Sequence, residues 1–318
     1  MPQRSIVVAG AGVFGTAIAQ RLSWNTDNAI TLYTIEDDVI ADINTNHQNA
    51  KYFPGRHIHG DITATGDISC TYTADVLFLA IPSKAIESFC HAIQPHTKEH
   101  MLVINLSKGL AEDGSFLVDL IPFARTGSLK GPTFAVEVMN GAPSGMTFGG
   151  SQRDYEEMKA VLHDTGITID HSEDIRAVEF LSVLKNMYAI AMGIVSGRYN
   201  SPNVDFLLMT KAVNEMRRML RLYSCDELTI FTYCGLGDLG LTALNDLSRN
   251  RTLGLLLGKG FSNDPKSSTV IEGLRTIKLL GEFVRSKQLE ADFIVLNALY
   301  EMLYAEATLN DYFLTVLA

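Results

Sequence analysis

Gly10-Ala11-Gly12-Val13-Phe14-Gly15 reads G-x-G-x-x-G. It follows a strand-like run, Ile6-Val7-Val8-Ala9, and opens a helix-like one, Thr16–Ser23. In that setting Gly10 permits a tight turn, Gly12 lets the backbone approach a pyrophosphate, and Gly15 lets helix pack on strand. The helix N-terminus then offers amides and partial positive charge to the phosphates. A glycine-rich turn without a ligand is the competing account. The next strand ends at Tyr33, and Glu36 lies 21 residues beyond Gly15. A carboxylate there accepts hydrogen bonds from a ribose and repels a 2′-phosphate. No Arg or Lys occurs between Leu22 and Ala50. The expected cofactor is NAD(H) in preference, with NADP(H) second. The alternative is that Glu36, Asp37 and Asp38 form a solvated acidic loop capping the following helix.

Other polar groups stand where packing does not call for them. Lys108-Gly109 follows the apolar run Met101–Leu106, at the carboxyl end of a strand, where open sheets bind ligands. Lys185 has Leu181, Ser182, Tyr188 and Ala189 as helical neighbours, none of them charged. A lysine so placed must be paired, be kept near its neutral form, or snorkel to the surface. Asp238 lies among Gly235, Gly237 and Gly240, so its carboxylate can come close to another element. Ser248 is a candidate N-cap for a helix beginning Arg249-Asn250-Arg251, which reads as a phosphate clamp or a solvated basic turn. Gly131-Pro132-Thr133-Phe134-Ala135 forms a further tight loop. His91, His96 and His100 suit a polar turn better than a metal site.

The elements that must position these groups differ between the two halves. Ser5–Ala9, Ile30–Tyr33, Val76–Ile81, Met101–Leu106 and Ile167–Asp170 read as strands, with helical stretches such as Lys84–Ile93 between them. Alternation of this kind predicts a mostly parallel sheet covered by helices, and the nearly all-apolar third and fourth runs suit strands buried on both faces. From Glu173 the period becomes helical, with expected helices at Val204–Tyr223, Arg249–Leu257, Val270–Lys287 and Phe293–Tyr304 and loops near Gly197–Asn203 and Gly258–Pro265. The expected fold is an α/β Rossmann-type dinucleotide-binding domain over residues 1–172, followed by an all-α substrate domain over 173–318.

Composition narrows the partners. The chain has 318 residues, 47% hydrophobic and 19% charged, with a net charge of −10, which disfavours nucleic acid and anionic membranes as partners. The four cysteines have no zinc-finger or CxxC spacing and read as free thiols of a reducing, cytoplasmic compartment. No signal-peptide pattern opens the sequence, and the longest uncharged apolar run is too short for a membrane span.

These motifs fall in one order over the whole length: Gly10–Gly15, Lys108-Gly109, Gly131–Val138, Leu184-Lys185-Asn186, Gly235–Thr242, Ser248–Arg251 and Val270–Gly273. The chain so resembles the NAD(P)-dependent glycerol-3-phosphate dehydrogenase family, most specifically in GLGDL and SRNR. The resemblance implies hydride transfer between a nicotinamide cofactor and a small phosphorylated substrate, sn-glycerol 3-phosphate or dihydroxyacetone phosphate. It implies Lys185 and Asp238 as catalytic residues, with Lys185 the proton donor or acceptor. It places Lys108, Gly131, Thr133, Asn186, Thr242, Ser248, Arg249 and Asn250 around the substrate. It places Gly10, Gly12, Val13, Phe14, Gly15, Glu36, Lys108, Ala135, Arg249, Val270 and Glu272 around the cofactor. A homodimer is expected through the helical half. The chain departs from the family's usual residues at Val136, at Thr210-Lys211-Ala212, at Cys234 and over Ser196–Asp205. Two other functions suit the same residues: a related dehydrogenase acting on another small phosphorylated hydroxy compound, and an NAD(H)-sensing module without turnover.

Overall fold

The computed structural model describes residues 3–111, 113–261, 272–305 and 307–318. The chain divides into two compact units, residues 1–179 and 180–318.

The first unit runs β1 (Arg4–Ala9), α1 (Val13–Leu22), β2 (Asn28–Tyr33), α2 (Asp37–Asn46), β3 (Thr63–Thr65), β4 (Val76–Leu79), α3 (Ile86–Ile93) and β5 (Leu102–Asn105). It continues with β6 (Thr126–Lys130), α4 (Ala135–Met139), β7 (Ser144–Gly149), α5 (Gln152–Val161), β8 (Ile167–Ser172) and the start of α6 (Ile175–Tyr199). The strands form one sheet in the order β3-β2-β1-β4-β5-β6-β7-β8, parallel except for the β6–β7 pair. β4 and β5 are buried at every residue, as their unbroken apolar sequences require. Alternate residues feed two cores. Ile6, Val8, Phe78 and Ile104 enter one; Val7, Ala9, Leu77 and Val103 enter the other. Strand order reverses at β1 and β4, so the glycine turn after β1 stands where an open sheet offers a crevice.

β6 and β7 do not show in the sequence as strands because glycine and serine interrupt them. The structure explains the small residues. A Cβ on Gly127 would come within 2.7 Å of the Phe148 ring, and one on Gly149 within 3.1 Å of Ile175 Cα at the start of α6. Asp174 caps α6, its Oδ1 accepting from the Ala177 amide at 2.9 Å.

The second unit holds the rest of α6, then α7 (Pro202–Leu222), α8 (Asp238–Leu244), α9 (Arg249–Gly258), α10 (Glu272–Ser286), α11 (Ile294–Tyr304) and α12 (Leu309–Leu317). The loop expected at Gly197–Asn203 shrinks, because α6 continues through Gly197 to Tyr199 and Pro202 opens α7. Gly197 is a packing residue here. Gly193 and Gly197 on α6 meet Gly254 and Gly258 on α9 so closely that a Cβ on Gly193 would lie 2.3 Å from Arg251 O and one on Gly254 2.2 Å from Ile190 O. Backbone-to-backbone contact of this kind fixes α9 on α6. α12 is not among the helices the sequence pattern predicts, although Thr308 and Asp311 form a capping box at its start. α6 is long and apolar enough by composition to cross a membrane, with a mean hydropathy of 1.4 over its most apolar window, but that window is wholly buried within the protein.

Candidate active site

In the first unit, Gly10 adopts φ +107°, and a Cβ there would lie 2.5 Å from Ala80 O. A Cβ on Gly15 would lie 1.9 Å from Gly10 O, so helix and turn touch through both glycines. Gly12 differs: a Cβ there would meet nothing within 4 Å. Packing therefore explains Gly10 and Gly15, whereas Gly12 leaves open space beside the start of α1. Gly12 caps that helix without a side-chain acceptor, and the amides of Val13, Phe14 and Gly15 find no backbone acceptor among the described residues. Open space, unmatched amides and an exposed Val13 fit a pyrophosphate. Buried Asn49 braces the turn by donating to Ala11 O and Thr16 Oγ1, both at 2.9 Å. Ala135 opens α4, partly buried against the core that also packs Phe14.

Glu36 caps α2 through its backbone and holds its side chain partly exposed. Its Oε1 accepts from Lys51 Nζ at 2.5 Å and its Oε2 from Tyr52 Oη at 2.9 Å. These hydrogen bonds hold the Glu36 carboxyl below its ordinary range and raise the Lys51 ammonium above its own. Lys51 lies one residue beyond the stretch free of basic residues, so the sequence window concealed it.

Lys108 stands on the bend after β5, half-buried, beside Gly109 at φ +110°. Its ammonium makes no ion pair or hydrogen bond among the described residues. Beneath it lies a polar knot the sequence did not announce. Buried Lys130 donates to Asn105 O at 2.9 Å and to Ser107 O at 2.7 Å. Buried Glu179 accepts from Asn105 Nδ2, from Ser128 Oγ at 3.2 Å and from the Val118 amide at 3.0 Å. This knot ties the ends of β5 and β6 and fixes the strand from which Lys108 departs. A charged residue closing an otherwise small and apolar strand, just before Gly131-Pro132, was the available signal for Lys130. Gly131 has a packing reason, since a Cβ would lie 2.6 Å from Gly145 O, and Thr133 Oγ1 donates back to Gly131 O at 3.2 Å.

In the second unit, Lys185 is not at the surface. Its Nζ lies 2.5 Å from Asp238 Oδ2, with side-chain exposures of 5% and 2%. Removing one partner of such a pair leaves an uncompensated buried charge, at a cost of about 3–5 kcal/mol. Gly235 has a packing reason: a Cβ there would lie 2.1 Å from Ile230 O, so glycine lets the Tyr233–Gly237 turn seat Asp238 as the first residue of α8. Thr242, one turn on, donates to Asp238 Oδ1 at 3.4 Å.

Next to Lys185, Asn186 joins three helices. Asn250 Nδ2 donates to Asn186 Oδ1 at 3.1 Å, and Asn186 Nδ2 donates to Glu272 Oε2 at 3.1 Å. The Gly273 amide closes the chain by donating to Asn250 Oδ1 at 3.2 Å. Ser248 is the N-cap of α9, its Oγ accepting from the Arg251 amide at 3.3 Å. The two arginines of this turn separate. Arg249 is exposed and makes no ion pair or hydrogen bond among the described residues. Arg251 is buried and donates to Asp246 Oδ1 at 3.0 Å, Ser196 Oγ at 3.2 Å and Ala243 O at 2.5 Å, so it belongs to the framework and not to a clamp. Val270 lies outside the described residues.

The second unit therefore gathers an ammonium, two carboxylates, two carboxamides and an exposed guanidinium, the set that proton transfer beside an anionic substrate would use. Residues 5–156 match the N-terminal half of NAD-dependent glycerol-3-phosphate dehydrogenase, and residues 174–313 match its C-terminal half. Glycerol-3-phosphate dehydrogenase (NAD(P)+) of Methanothermobacter thermautotrophicus is 36% identical over 313 residues, covering 96% of this chain and 95% of that protein. Two solved glycerol-3-phosphate dehydrogenases share the fold, each alignment covering 99% of both chains. The Coxiella burnetii structure has a TM-score of 0.85 at 24% identity, and the Saccharomyces cerevisiae structure 0.88 at 22%. The chain belongs to the NAD-dependent glycerol-3-phosphate dehydrogenase family.

Proposed function

We propose that this protein interconverts sn-glycerol 3-phosphate and dihydroxyacetone phosphate, using NAD(H) in preference to NADP(H). The observation that carries the reading is the buried Lys185–Asp238 pair, set on the helix that also carries Asn186. A bound nicotinamide supplies or accepts the hydride at the substrate carbon. When the carbonyl is reduced, its oxygen gains alkoxide character and needs a proton. Lys185 polarises that oxygen as a cation and then delivers a proton from Nζ; in the reverse direction the free amine takes the hydroxyl proton back. Asp238 is a positioning residue that holds Nζ in place and offsets its burial, and Thr242 steadies Asp238. Asn186 and Asn250, locked together with Glu272, keep α6, α9 and α10 in register and present polar edges to a substrate.

Arg249 is the residue for the substrate phosphate. It is exposed, unpaired among the described residues, and stands at the first turn of α9, where helix polarity adds to its charge. Lys108 is a cation of the first unit that makes no ion pair or hydrogen bond among the described residues, and the Gly131–Thr133 loop lies beyond the strand that Lys130 anchors. Gly10, Gly12, Val13, Phe14, Gly15 and Ala135 take the dinucleotide, with Glu36 toward its ribose. Two departures from the family's usual residues have structural partners: Lys211 donates to Val316 O at 2.9 Å, and Cys234 is buried with Thr232 Oγ1 at 3.3 Å. The same reading includes a homodimer through the helical half and a cytoplasmic setting, supported by exposed Phe206, Phe231 and Leu314 and by four cysteines that form no disulfide.

NADH oxidation with dihydroxyacetone phosphate against unphosphorylated dihydroxyacetone tests the function. We expect kcat/KM to favour the phosphorylated compound by about 10³-fold or more, and Arg249→Ala to erase most of that preference. Equal use of both compounds would contradict the assignment, and NADH binding without turnover of either would favour a sensing module.

A further inference from the structure

We propose that Lys51 is the residue through which the ribose end of the cofactor site admits a 2′-phosphate as well as a 2′-hydroxyl. The inference rests on the cofactor reading above and adds a residue to it. Glu36, Asp37 and Asp38 place three carboxylates at the end of β2, a composition that by itself repels a dianionic phosphate. Lys51 Nζ lies 2.5 Å from Glu36 Oε1 and 3.3 Å from Asp38 Oδ2, so a cation already stands within the acidic group.

The surrounding contacts fix the backbone of Lys51 and leave its side chain free to move. Asn49 is fully buried and bonded to the glycine turn, and the Ala50 amide donates to Asp42 Oδ2 at 2.8 Å on α2. The Lys51 side chain itself is 45% exposed, on a four-carbon stem. It can release Glu36 and reach a phosphate oxygen, acting as a point charge, without moving the chain that carries it. Tyr52 Oη stays on Glu36 Oε2 at 2.9 Å, so the carboxylate keeps a donor when Lys51 leaves. With a 2′-hydroxyl, Lys51 remains on Glu36 and the carboxylate accepts from the ribose. With a 2′-phosphate, Lys51 shifts to it and offsets the repulsion. The arrangement predicts a preference for NADH that is moderate in size, and assigns that moderation to one ammonium group.

The test is a direct binding titration of NADH and of NADPH, followed by the fluorescence of the bound reduced nicotinamide, with wild-type protein, Lys51→Met and Lys51→Arg. We expect wild-type protein to bind both. Lys51→Met should weaken NADPH by about 10-fold and NADH by less than about twofold, and Lys51→Arg should restore NADPH binding. A loss shared equally by both dinucleotides, or no loss with either, overturns the inference. So does wild-type protein that binds NADH and not NADPH, which leaves the cofactor reading standing. Wild-type protein that binds neither overturns the cofactor reading and this inference together.

Discussion

The glycine turn of the first unit and the lysine–aspartate pair of the second place their chemistry in opposite ways. The turn offers backbone amides and open space at Gly12, with partly exposed Glu36 and exposed Lys51 at the end of the next strand. The pair consists of two side chains removed from water, with Asp238 seated after the close approach of Gly235 to Ile230. A backbone site can be emptied of affinity without loss of stability, because nothing in the folded protein needs the ligand's space. A buried side-chain site is also part of the core, so its chemistry and its stability are bound together.

The sharpest way to break this comparison is at Gly12. A Cβ there meets nothing within 4 Å, so we expect the melting temperature of Gly12→Val to stay within about 2 °C of wild type while NADH affinity falls by about 30- to 100-fold. Unchanged affinity in a titration would show that the space beside α1 is not where a pyrophosphate lies.

A smaller effect belongs to the core of the second unit. Glu215 on α7 accepts from the Val295 and Leu296 amides at 2.7 and 3.1 Å and from Tyr188 Oη at 3.0 Å. Burial pushes its carboxyl up to about 7, against the Arg218 charge, which works the other way. The folded protein therefore holds more protons than the unfolded chain between pH 4.5 and about 7. Across that window stability falls as pH rises, by roughly 3 kcal/mol, and it levels off above. Glu215→Gln, which mimics the protonated acid, should flatten this part of the profile in urea unfolding at pH 5 and pH 7.5 without changing NADH affinity. Parallel profiles for variant and wild type would contradict the account.

The same contrast governs what could be read from the sequence. The parallel strands β1, β2, β4 and β5 announce themselves because a strand buried on both faces needs apolar residues throughout. The glycine turn is legible because its spacing is local. Lys185 and Asp238 stand out singly as charges in apolar or glycine-rich settings, and the family resemblance implies both as catalytic residues, whereas their pairing is seen only in the folded chain. What the sequence hid depends on distant partners. Gly197 looked like a loop marker until α9 was seen against it. Arg251 looked equivalent to Arg249 until Asp246, Ser196 and Ala243 claimed it. β6 and β7 were masked by the small residues that let Phe148 and α6 approach. Lys51 lies one residue beyond the stretch, Leu22 to Ala50, that holds no Arg or Lys.

The central claim is that the Lys185 ammonium gives up a proton during turnover. It is tested most directly by the kcat of Lys185→Arg in the reduction of dihydroxyacetone phosphate. Arginine keeps a cation for Asp238 but is far too weak an acid to release its proton. The account predicts unchanged NADH binding and a kcat lower by about 10³-fold or more. Turnover within a few-fold of wild type would show that the proton comes from elsewhere.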